Sequence, residues 1–164
     1  MSSGYQVKPI GWVRSERIEP IDDDWDTVDS FIELDPEQFA PDALAGLDTF
    51  SHAEIIFLFD QVSDNKIETG ARHPRGRTDW PNIGIFAQRG KNRPNRLGLT
   101  ICEILKVDDL RVSLKGLDAI NGTPVLDIKP VMSGFRPRGA HREPAWSREI
   151  MSEYWRTKSD PPRN

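Results

Sequence analysis

AEIIFLF, residues 53–59, is an almost continuous apolar run that contains two isoleucines and two phenylalanines. A short run of this composition predicts a strand at the centre of a sheet, covered on both sides. Further β-rich segments lie at 5–14 and 28–34 before it, and at 83–87, 97–107, 110–114 and 124–129 after it. Turn-forming residues recur between them at a spacing that is typical of a mainly β barrel or sandwich.

Helical signals are few, and the stretch 63–82 reads as irregular. Asp35-Pro36-Glu37 has the form of a helix start, but Pro41 and Gly46 limit any helix there to one or two turns. Apolar side chains recur at helical spacing over 143–157 and predict a surface helix that is followed by a frayed tail. The pattern therefore predicts one mainly β domain with short peripheral helices.

Composition is that of an ordinary globular domain. The 164 residues allow one sizeable core, and 37% hydrophobic with 29% charged residues is a common balance. Cys102 is the single cysteine, which excludes an internal disulfide and suits a reducing cytoplasm. The longest apolar run is far shorter than the roughly 20 residues of a membrane helix, and the N-terminus lacks a signal peptide's apolar core. We expect a cytoplasmic protein without a membrane span.

The net charge of −4 conceals a strong asymmetry along the chain. Residues 16–64 contain 15 acidic residues and one basic residue, Arg17, whereas residues 72–96 contain six arginines and Lys91 against Asp79 alone. This separation of charge produces an electrostatic field that influences which binding partners the protein attracts. It predicts an anionic ligand held at the basic segment. In the alternative interpretation, the two segments neutralise each other within the fold or across a dimer.

Motifs of the common nucleotide-binding and hydrolase families are absent. The sequence has no Rossmann glycine pattern, no P-loop and no G-x-S-x-G nucleophile elbow. His52, His73 and His141 are scattered without metal-ligand spacing, so no metal is expected. His52 is interpreted as structural, and His73, which lies among arginines, as a neutral ring that stacks or forms hydrogen bonds.

Two basic loops, HPRGRTDW (73–80) and QRGKNRPN (88–95), remain as candidates for a binding site. They combine guanidinium groups and glycines with flat rings, a composition that holds unpaired RNA bases and phosphates. Arginine-rich loops are also common in purely structural roles, and that alternative stays open. The candidate RNA contacts are His73, Arg75, Arg77, Trp80, Lys91, Arg93, Asn95 and Arg96.

LAGLDTFSHAEIIFLFDQ (44–61), FAQRGKNRPNRLGLT (86–100) and GLDAINGTPVLDIKP (116–130) closely resemble three blocks of the TsaA-like (YaeB, TrmO) family, in the family's order. With IGWVRS (10–15), the resemblance covers about the first four fifths of the chain. It implies a single-domain β-barrel over 1–142, followed by the C-terminal helix and tail over 143–164. It further implies a homodimer that binds S-adenosyl-L-methionine (SAM) near the dimer interface. Characterised members methylate the exocyclic nitrogen of threonylcarbamoyl-adenosine beside the tRNA anticodon.

The resemblance also implies the residues of the SAM pocket. Arg89 would clamp the methionine carboxylate, and Gly122 would let the backbone approach the ligand closely. Leu99 would form an apolar wall, although core packing explains that residue equally well. The implied pocket residues are Trp25, which lies on a poorly matching acidic loop, together with Asp60, Gln61, Arg89, Leu99, Ile120, Asn121, Gly122 and Thr123.

A general base is not identified by the sequence. SAM is already activated, so the enzyme mainly aligns the reacting atoms, but a base would help a poorly nucleophilic nitrogen. Asp118 and Asp127 are weak candidates, and we favour structural roles for both beside the glycine-rich turns.

Several positions depart from the family pattern F-A-T-R-S-P-F-R-P-N-P-I-G. Gln88 replaces Thr, 90–92 replace Ser-Pro-Phe, Arg96 replaces the second Pro, Asp60 replaces a frequent His, and Val131 replaces Tyr. The longer tRNA enzymes also carry a further C-terminal domain where this sequence has one helix. SAM binding is therefore better supported than the tRNA substrate. The alternatives are a SAM-dependent methyltransferase of a small anionic metabolite or another nucleoside, and a non-catalytic SAM-binding or RNA-binding module.

Overall fold

A computed structural model describes residues 4–157 and 159–161 of the chain. The strands of this part are β1 Gly11–Ser15, β2 Asp29–Leu34, β3 His52–Leu58, β4 Ala71–Arg72, β5 Ile83–Gly84, β6 Leu97–Asp108, β7 Arg111–Lys115 and β8 Pro124–Pro130. Six of them close into an antiparallel barrel in the order β1-β2-β7-β6-β3-β8, and β4 and β5 pair in a separate two-stranded sheet. The predicted mainly β barrel is confirmed.

The apolar run that predicted the central strand forms β3, which pairs with β6 on one side and β8 on the other. Ala53, Ile55 and Phe57 point into the barrel and are buried, whereas Ile56 and Leu58 are only half-buried. The expectation that both faces of this strand are covered was therefore wrong. A closed barrel encloses its inner face alone, so every second residue of the run faces outwards.

Each barrel strand contributes to one core. Val13, Ile32, Phe57, Leu114 and Val125 are at most 1% exposed, and burial of such a side chain stabilises the fold by about 1.5–3 kcal/mol. Cys102 lies in the same core. Burial, aided by the negative charge of Asp118, raises the pKa of its thiol far above the usual range. The thiol therefore stays protonated and unreactive at neutral pH.

Two predicted strands are shorter than expected. The first begins at Gly11 rather than at Tyr5, because the pairing with β2 and β8 begins only there. The segment 83–87 pairs with β4 only at Ile83 and Gly84 and then continues as a 3-10 turn. In both cases the limit is set by the partner strand, which local pattern does not reveal.

One α-helix, α1, spans Ala145–Met151 in the described part of the chain. It is shorter than the predicted helix over 143–157, because residues 153 and 154 turn away to bond the loop at 24–25. Short 3-10 turns supply the peripheral helices, and the expected helix start at Asp35 leads only into turns. The tail is described at 159–161, and its last residues, 162–164, lie outside the described residues. No helix within 4–157 and 159–161 has both the length and the apolar character needed to cross a bilayer.

Candidate functional site

Most of the residues assigned to a SAM pocket lie towards one end of the barrel, where β3 ends and β6 and β8 begin. Leu58 of β3 lies opposite Leu97, the first residue of β6, and Phe57 lies opposite Val125 near the start of β8. Because these strands are antiparallel, the chain that leaves β3 meets the chain that enters β8. Asp60 and Gln61, both exposed, therefore lie at the same end as the turn 120–123. We call this the Gln61 end.

Arg89 and Leu99 form a contact on the outside of β6. The Arg89 guanidinium donates a hydrogen bond to the Leu99 carbonyl oxygen. This part of β6 has no β7 partner, because the β6–β7 pairing covers only 103–108. The Leu99 side chain lies opposite Ile56 and is 43% exposed. The core-packing alternative for Leu99 is therefore wrong, and a guanidinium and an apolar side chain are jointly presented to solvent.

The turn 120–123 is fixed by hydrogen bonds to β1 and the residues after it. The Gly122 N–H donates to the Val13 carbonyl at 2.8 Å, and the Asn121 N–H donates to the Arg17 carbonyl at 2.8 Å. Gly122 has a φ of 83°, in the left-handed region that favours glycine. Ile120 and Thr123 are buried, so Asn121 and Gly122 are the members that offer atoms to a ligand.

Trp25 forms the floor of the acidic loop rather than an exposed wall. It is 4% exposed, and the Arg17 guanidinium lies 4.2 Å from its ring centroid. Arg17 also donates to the carbonyls of Asp23 and Asp24, at 3.0 and 3.2 Å. Arg17 thus joins Trp25 to Asn121. The indole N–H of Trp25 is buried without a hydrogen-bond partner in the described part of the chain, so an acceptor brought by a ligand would lower its free-energy cost.

Both candidate bases have each carboxylate oxygen engaged. Asp118 accepts hydrogen bonds from the hydroxyls of Thr100 and Tyr154, one on each oxygen. Asp127 accepts the Ile128 N–H at 2.9 Å on one oxygen and pairs with Lys129 at 2.6 Å through the other. Each carboxylate thus has partners within the fold, which is compatible with the structural roles predicted for both residues.

Residues 145–157, here called the C-terminal segment, join three parts of the site. Asp24 and Trp25 donate their backbone N–H groups to the carbonyls of Glu153 and Tyr154, at 3.1 and 2.9 Å. The Trp80 indole N–H donates to the Glu149 carboxylate at 2.8 Å. Burial, followed by the charge of Asp118, raises the pKa of Tyr154 well above its usual range, so its hydroxyl remains a donor. Tyr154 is one of the apolar residues at helical spacing over 143–157, and nothing in the sequence links it to Asp118.

Several basic residues proposed for RNA are neutralised by acidic ones. Arg75 pairs with Asp23 at 2.9 Å, and Arg96 pairs with Asp64 at 3.0 Å. Both carboxylates belong to the acidic stretch 16–64, so neutralisation within the fold applies to these two arginines. Arg77 pairs with Asp79 and lies 4.0 Å above the Trp80 ring, and this pairing holds the pKa of Asp79 below its usual value.

The two rings of the first basic loop are engaged within the protein. Trp80 is 4% exposed and its carbonyl contacts His73 Nδ1 at 2.6 Å. His73 therefore fits the hydrogen-bonding alternative, and the Trp80 ring has no open face for a base.

Of the two basic loops, the second is the one whose positive charges have no carboxylate partner among the described residues, whereas Arg75 and Arg77 of the first are paired. Arg89 and Arg93 donate to backbone carbonyls, of Leu99 and Gln88, which leave the guanidinium charge uncompensated. Lys91 has no ion pair with any described residue, and Asn95 is exposed beside it. Within the same residues, no three His, Cys, Asp or Glu side chains are grouped so that they could hold a metal ion.

Comparison with known proteins identifies close relatives. The putative S-adenosylmethionine-dependent methyltransferase RcsF of Pseudomonas aeruginosa is 41% identical over 99 residues, which are 60% of this chain and 41% of that protein. The tRNA (adenine(37)-N6)-methyltransferase of Escherichia coli K12 is 38% identical over 95 residues, 56% of this chain and 40% of that protein. A crystal structure of TrmO from Pseudomonas aeruginosa superposes with a TM-score of 0.71 at 28% identity, covering 89% of this chain and 63% of the other.

The chain spans less than half the length of these two curated relatives. The sequence model of one family, the tRNA-methyltransferase O N-terminal domain, matches residues 17–135. That range contains seven of the eight strands and every residue assigned above to the pocket. The chain therefore belongs to the tRNA-methyltransferase O N-terminal domain family.

Proposed function

We propose that this chain is a SAM-dependent methyltransferase that methylates the exocyclic nitrogen of threonylcarbamoyl-adenosine beside the anticodon of a tRNA. One observation supports the proposal: Asp60, Gln61 and the turn 120–123 lie at one end of a barrel of this family, and Arg89 bonds Leu99, two residues from the start of β6 at that end. We also expect the protein to act in the cytoplasm, where its substrate would be found.

The residues present fit SAM. Arg89 is exposed, and its guanidinium carries donors beyond the one used on Leu99, which would hold the methionine carboxylate. Asp60 places an exposed carboxylate at the same end, as a sulfonium requires. The buried indole N–H of Trp25 lacks an acceptor, and a polar atom of the ligand would provide one. When bound, SAM supplies an activated methyl group.

The protein's part in the reaction is alignment. Asp118 and Asp127 have both oxygens occupied, so neither is favoured to take a proton from the acceptor nitrogen. The chain would instead position the acceptor against the methyl donor and exclude water. Such alignment by itself lowers the activation free energy of a reaction considerably.

The second basic loop supports a polyanionic substrate. Arg89, Lys91 and Arg93 keep their charge uncompensated beside the Gln61 end. The ion pairs of Arg75, Arg77 and Arg96 lie near the surface, where such pairs contribute only about 0–1 kcal/mol, so RNA phosphates would displace the carboxylates at little cost.

We further infer a homodimer, as the family resemblance implied. The outer face of β3 and β6 presents Ile56, Leu58, Leu97 and Leu99 side by side at the Gln61 end. Contiguous apolar faces on monomers commonly mark an interaction site. Light scattering measures the mass in solution, and a Leu97→Glu substitution is expected to shift a dimer towards monomer.

Methyl transfer is tested directly with labelled SAM and bulk tRNA, prepared with and without the threonylcarbamoyl modification. We expect label to enter only the modified pool. Binding of that tRNA should weaken steeply with salt, because each phosphate contact releases a counterion. Label in neither pool, with SAM still bound, would contradict the proposal.

Replacing Arg89 with alanine is expected to weaken SAM binding about 10- to 100-fold, since hydrogen bonds to charged groups contribute about 1.5–3 kcal/mol. Arg89→Lys should recover only part of this, because an ammonium cannot clamp a carboxylate in bidentate fashion. Isothermal titration calorimetry measures the affinity. Arg111→Ala is the matched control, because Arg111 pairs with Glu33 and lies among the residues of a separate surface depression. Equal affinities of the two alanine variants would remove Arg89 from the pocket.

A second candidate substrate is a small anionic metabolite or another modified nucleoside. The neutralised arginines and the buried Trp80 favour it, because they reduce the surface available to a long RNA. With such a substrate, the protein would bind SAM and would transfer no methyl group to tRNA. Its binding of the substrate would depend only weakly on salt concentration. A non-catalytic SAM-binding or RNA-binding module would bind its ligand and transfer methyl to no acceptor.

A further inference from the structure

A cleft of about 200 Å³ lies on the Leu99 side of the proposed SAM pocket, and it includes His52, the first residue of β3, rather than residues of the Gln61 end. Ile101 lines it, and Ile101 is two residues beyond Leu99 on the same outward face of β6. A strand rises about 3.3 Å per residue, so the cleft begins roughly 7 Å from the apolar wall of the pocket. Its volume is below the ~300 Å³ of a typical pocket for a whole small molecule. One planar heterocycle would fill it.

The C-terminal segment supplies one wall of this cleft through Trp155. This residue lies beyond 135, where the match to the family model ends. Its position is fixed by its neighbour. Tyr154 is bonded to Asp118 and to the loop at 24–25, and its ring packs edge-on against Trp155 at 4.8 Å between centroids.

Gly116 lies between the Trp155 indole and the Asp26 carboxylate. A Cβ placed there would lie 3.8 Å from the Trp155 ring and 3.2 Å from an Asp26 carboxylate oxygen, and the residue has a φ of 79°. The backbone at Gly116 therefore forms a shallow cradle between an aromatic ring and a carboxylate. The His52 imidazole, oriented by the Ser51 hydroxyl at 2.8 Å, lines the same cleft.

The polar groups of the cleft suit a base that carries an amino group. Asp26 and Glu103 line it. Glu103 is held in β6 by its backbone pairing with β3 and β7, and neither carboxylate has a side-chain hydrogen bond or ion pair with any residue in 4–157 or 159–161. Carboxylates accept hydrogen bonds from exocyclic amino groups, and aromatic rings stack on unpaired bases. Lys115, also in the lining, offers a cation for a carboxylate carried by the base.

We propose that this cleft receives the methyl-acceptor base, an unpaired purine with an exocyclic amino nitrogen. Trp155 stacks on the base, and the Asp26 carboxylate accepts a hydrogen bond from the N–H of its exocyclic nitrogen. Lys115 contacts the carboxylate of the threonylcarbamoyl group. This inference rests on the proposed function and adds the subsite of its acceptor. Trp155 and Asp26 act in binding and positioning.

The test compares Trp155→Ala, Trp155→Phe and the control Trp146→Ala, which removes the same ring from the same segment outside the cleft. Calorimetry measures the binding of threonylcarbamoyl-adenosine nucleoside and, separately, of SAM, and steady-state kinetics measure methyl transfer to modified tRNA. We expect Trp155→Ala to weaken nucleoside binding and lower kcat/KM at least tenfold, in line with the energies of base stacking. Trp155→Phe should retain most of both, and SAM affinity should stay within twofold in every variant. Asp26→Asn should weaken nucleoside binding with unchanged SAM affinity.

Three results would overturn the assignment to the cleft, and a fourth would reject the proposed function alone. If Trp155→Ala binds the nucleoside as well as Trp146→Ala does, the base does not lie in this cleft. If SAM affinity falls together with nucleoside affinity, the cleft belongs to the methyl donor. Nucleoside binding that depends on Trp155, without any methyl transfer by the unaltered protein, would reject the proposed function and leave the cleft as a base-binding site. Transfer that ignores Trp155 would reject the cleft and leave the function.

Discussion

Replacing Gly98 with alanine is expected to lower the free energy of unfolding by about 3 kcal/mol, at the upper end of the cost of overpacking a core. A Cβ at Gly98 would lie 2.9 Å from Cδ2 of the Phe57 ring and still closer to Cε2 and Cζ. Phe57 is 1% exposed and packs edge-on against Phe59 at 5.2 Å between centroids. The ring therefore has no space into which it can move. Urea unfolding followed by circular dichroism measures the change.

Two companion variants test the cause of this loss. Gly134→Ala should be almost neutral, because a Cβ there would meet nothing within 4 Å and the residue has no left-handed backbone. Adding Phe57→Leu to Gly98→Ala should recover part of the lost stability, since a smaller side chain opposite the new methyl group relieves the clash. If the loss of unfolding free energy in the double variant equals the sum of the losses in the two single variants, the two side chains are not in direct contact.

Replacing Asp118 with alanine should cost about 2–4 kcal/mol of stability and release the C-terminal segment from the barrel. The substitution leaves the Thr100 and Tyr154 hydroxyls without an acceptor, and an unsatisfied buried polar group costs about 1–3 kcal/mol. Denaturant unfolding measures the stability. Hydrogen exchange should show faster amide exchange at 145–157, where Tyr154 no longer has its acceptor on the barrel.

Asp127→Ala is the matched control for this substitution. Its carboxylate pairs with the exposed Lys129, and surface pairs of this kind contribute about 0–1 kcal/mol. Asp118→Asn keeps a hydrogen-bond acceptor, so its loss of unfolding free energy should lie between those of Asp118→Ala and Asp127→Ala. If Asp118→Asn abolished methyl transfer while stability and exchange stayed unchanged, Asp118 would be a general base rather than an anchor for Tyr154.

Strand positions followed well from local pattern. The segments predicted at 97–107, 110–114 and 124–129 correspond to β6, β7 and β8 within a residue or two, because alternation and turn residues mark them. The strand predicted at 5–14, in contrast, is observed only from Gly11 onwards. Its apolar residues Tyr5 and Val7 are 96% and 67% exposed, and pairing begins only at Gly11. A strand needs a partner, and the partner lies elsewhere in the sequence.

The candidate site could be predicted only in part. The resemblance pointed to Arg89 and Leu99, and the structure brings these two into contact. The charge count could not distinguish Arg75, which is paired with Asp23, from Arg93, which bonds a carbonyl and keeps its charge uncompensated. The arginines and glycines around Trp80 in the loop 73–80 predicted a ring available for stacking on a base. The ring is instead buried against Arg77, and its N–H is bonded to Glu149. Pairing between distant side chains depends on how the loops lie, which residue types do not encode.

The sequence by itself determined the mainly β class, the approximate positions of most strands, the absence of an internal disulfide and the separation of charge along the chain. These are local properties, set by periodicity and composition. Tertiary structure alone decided that β8 closes the barrel between β1 and β3, that Leu99 faces solvent, and that Tyr154 is held on Asp118. Each of these depends on the register of strands far apart in sequence, because closing the barrel fixes which face of a strand is buried and which loops meet at its ends.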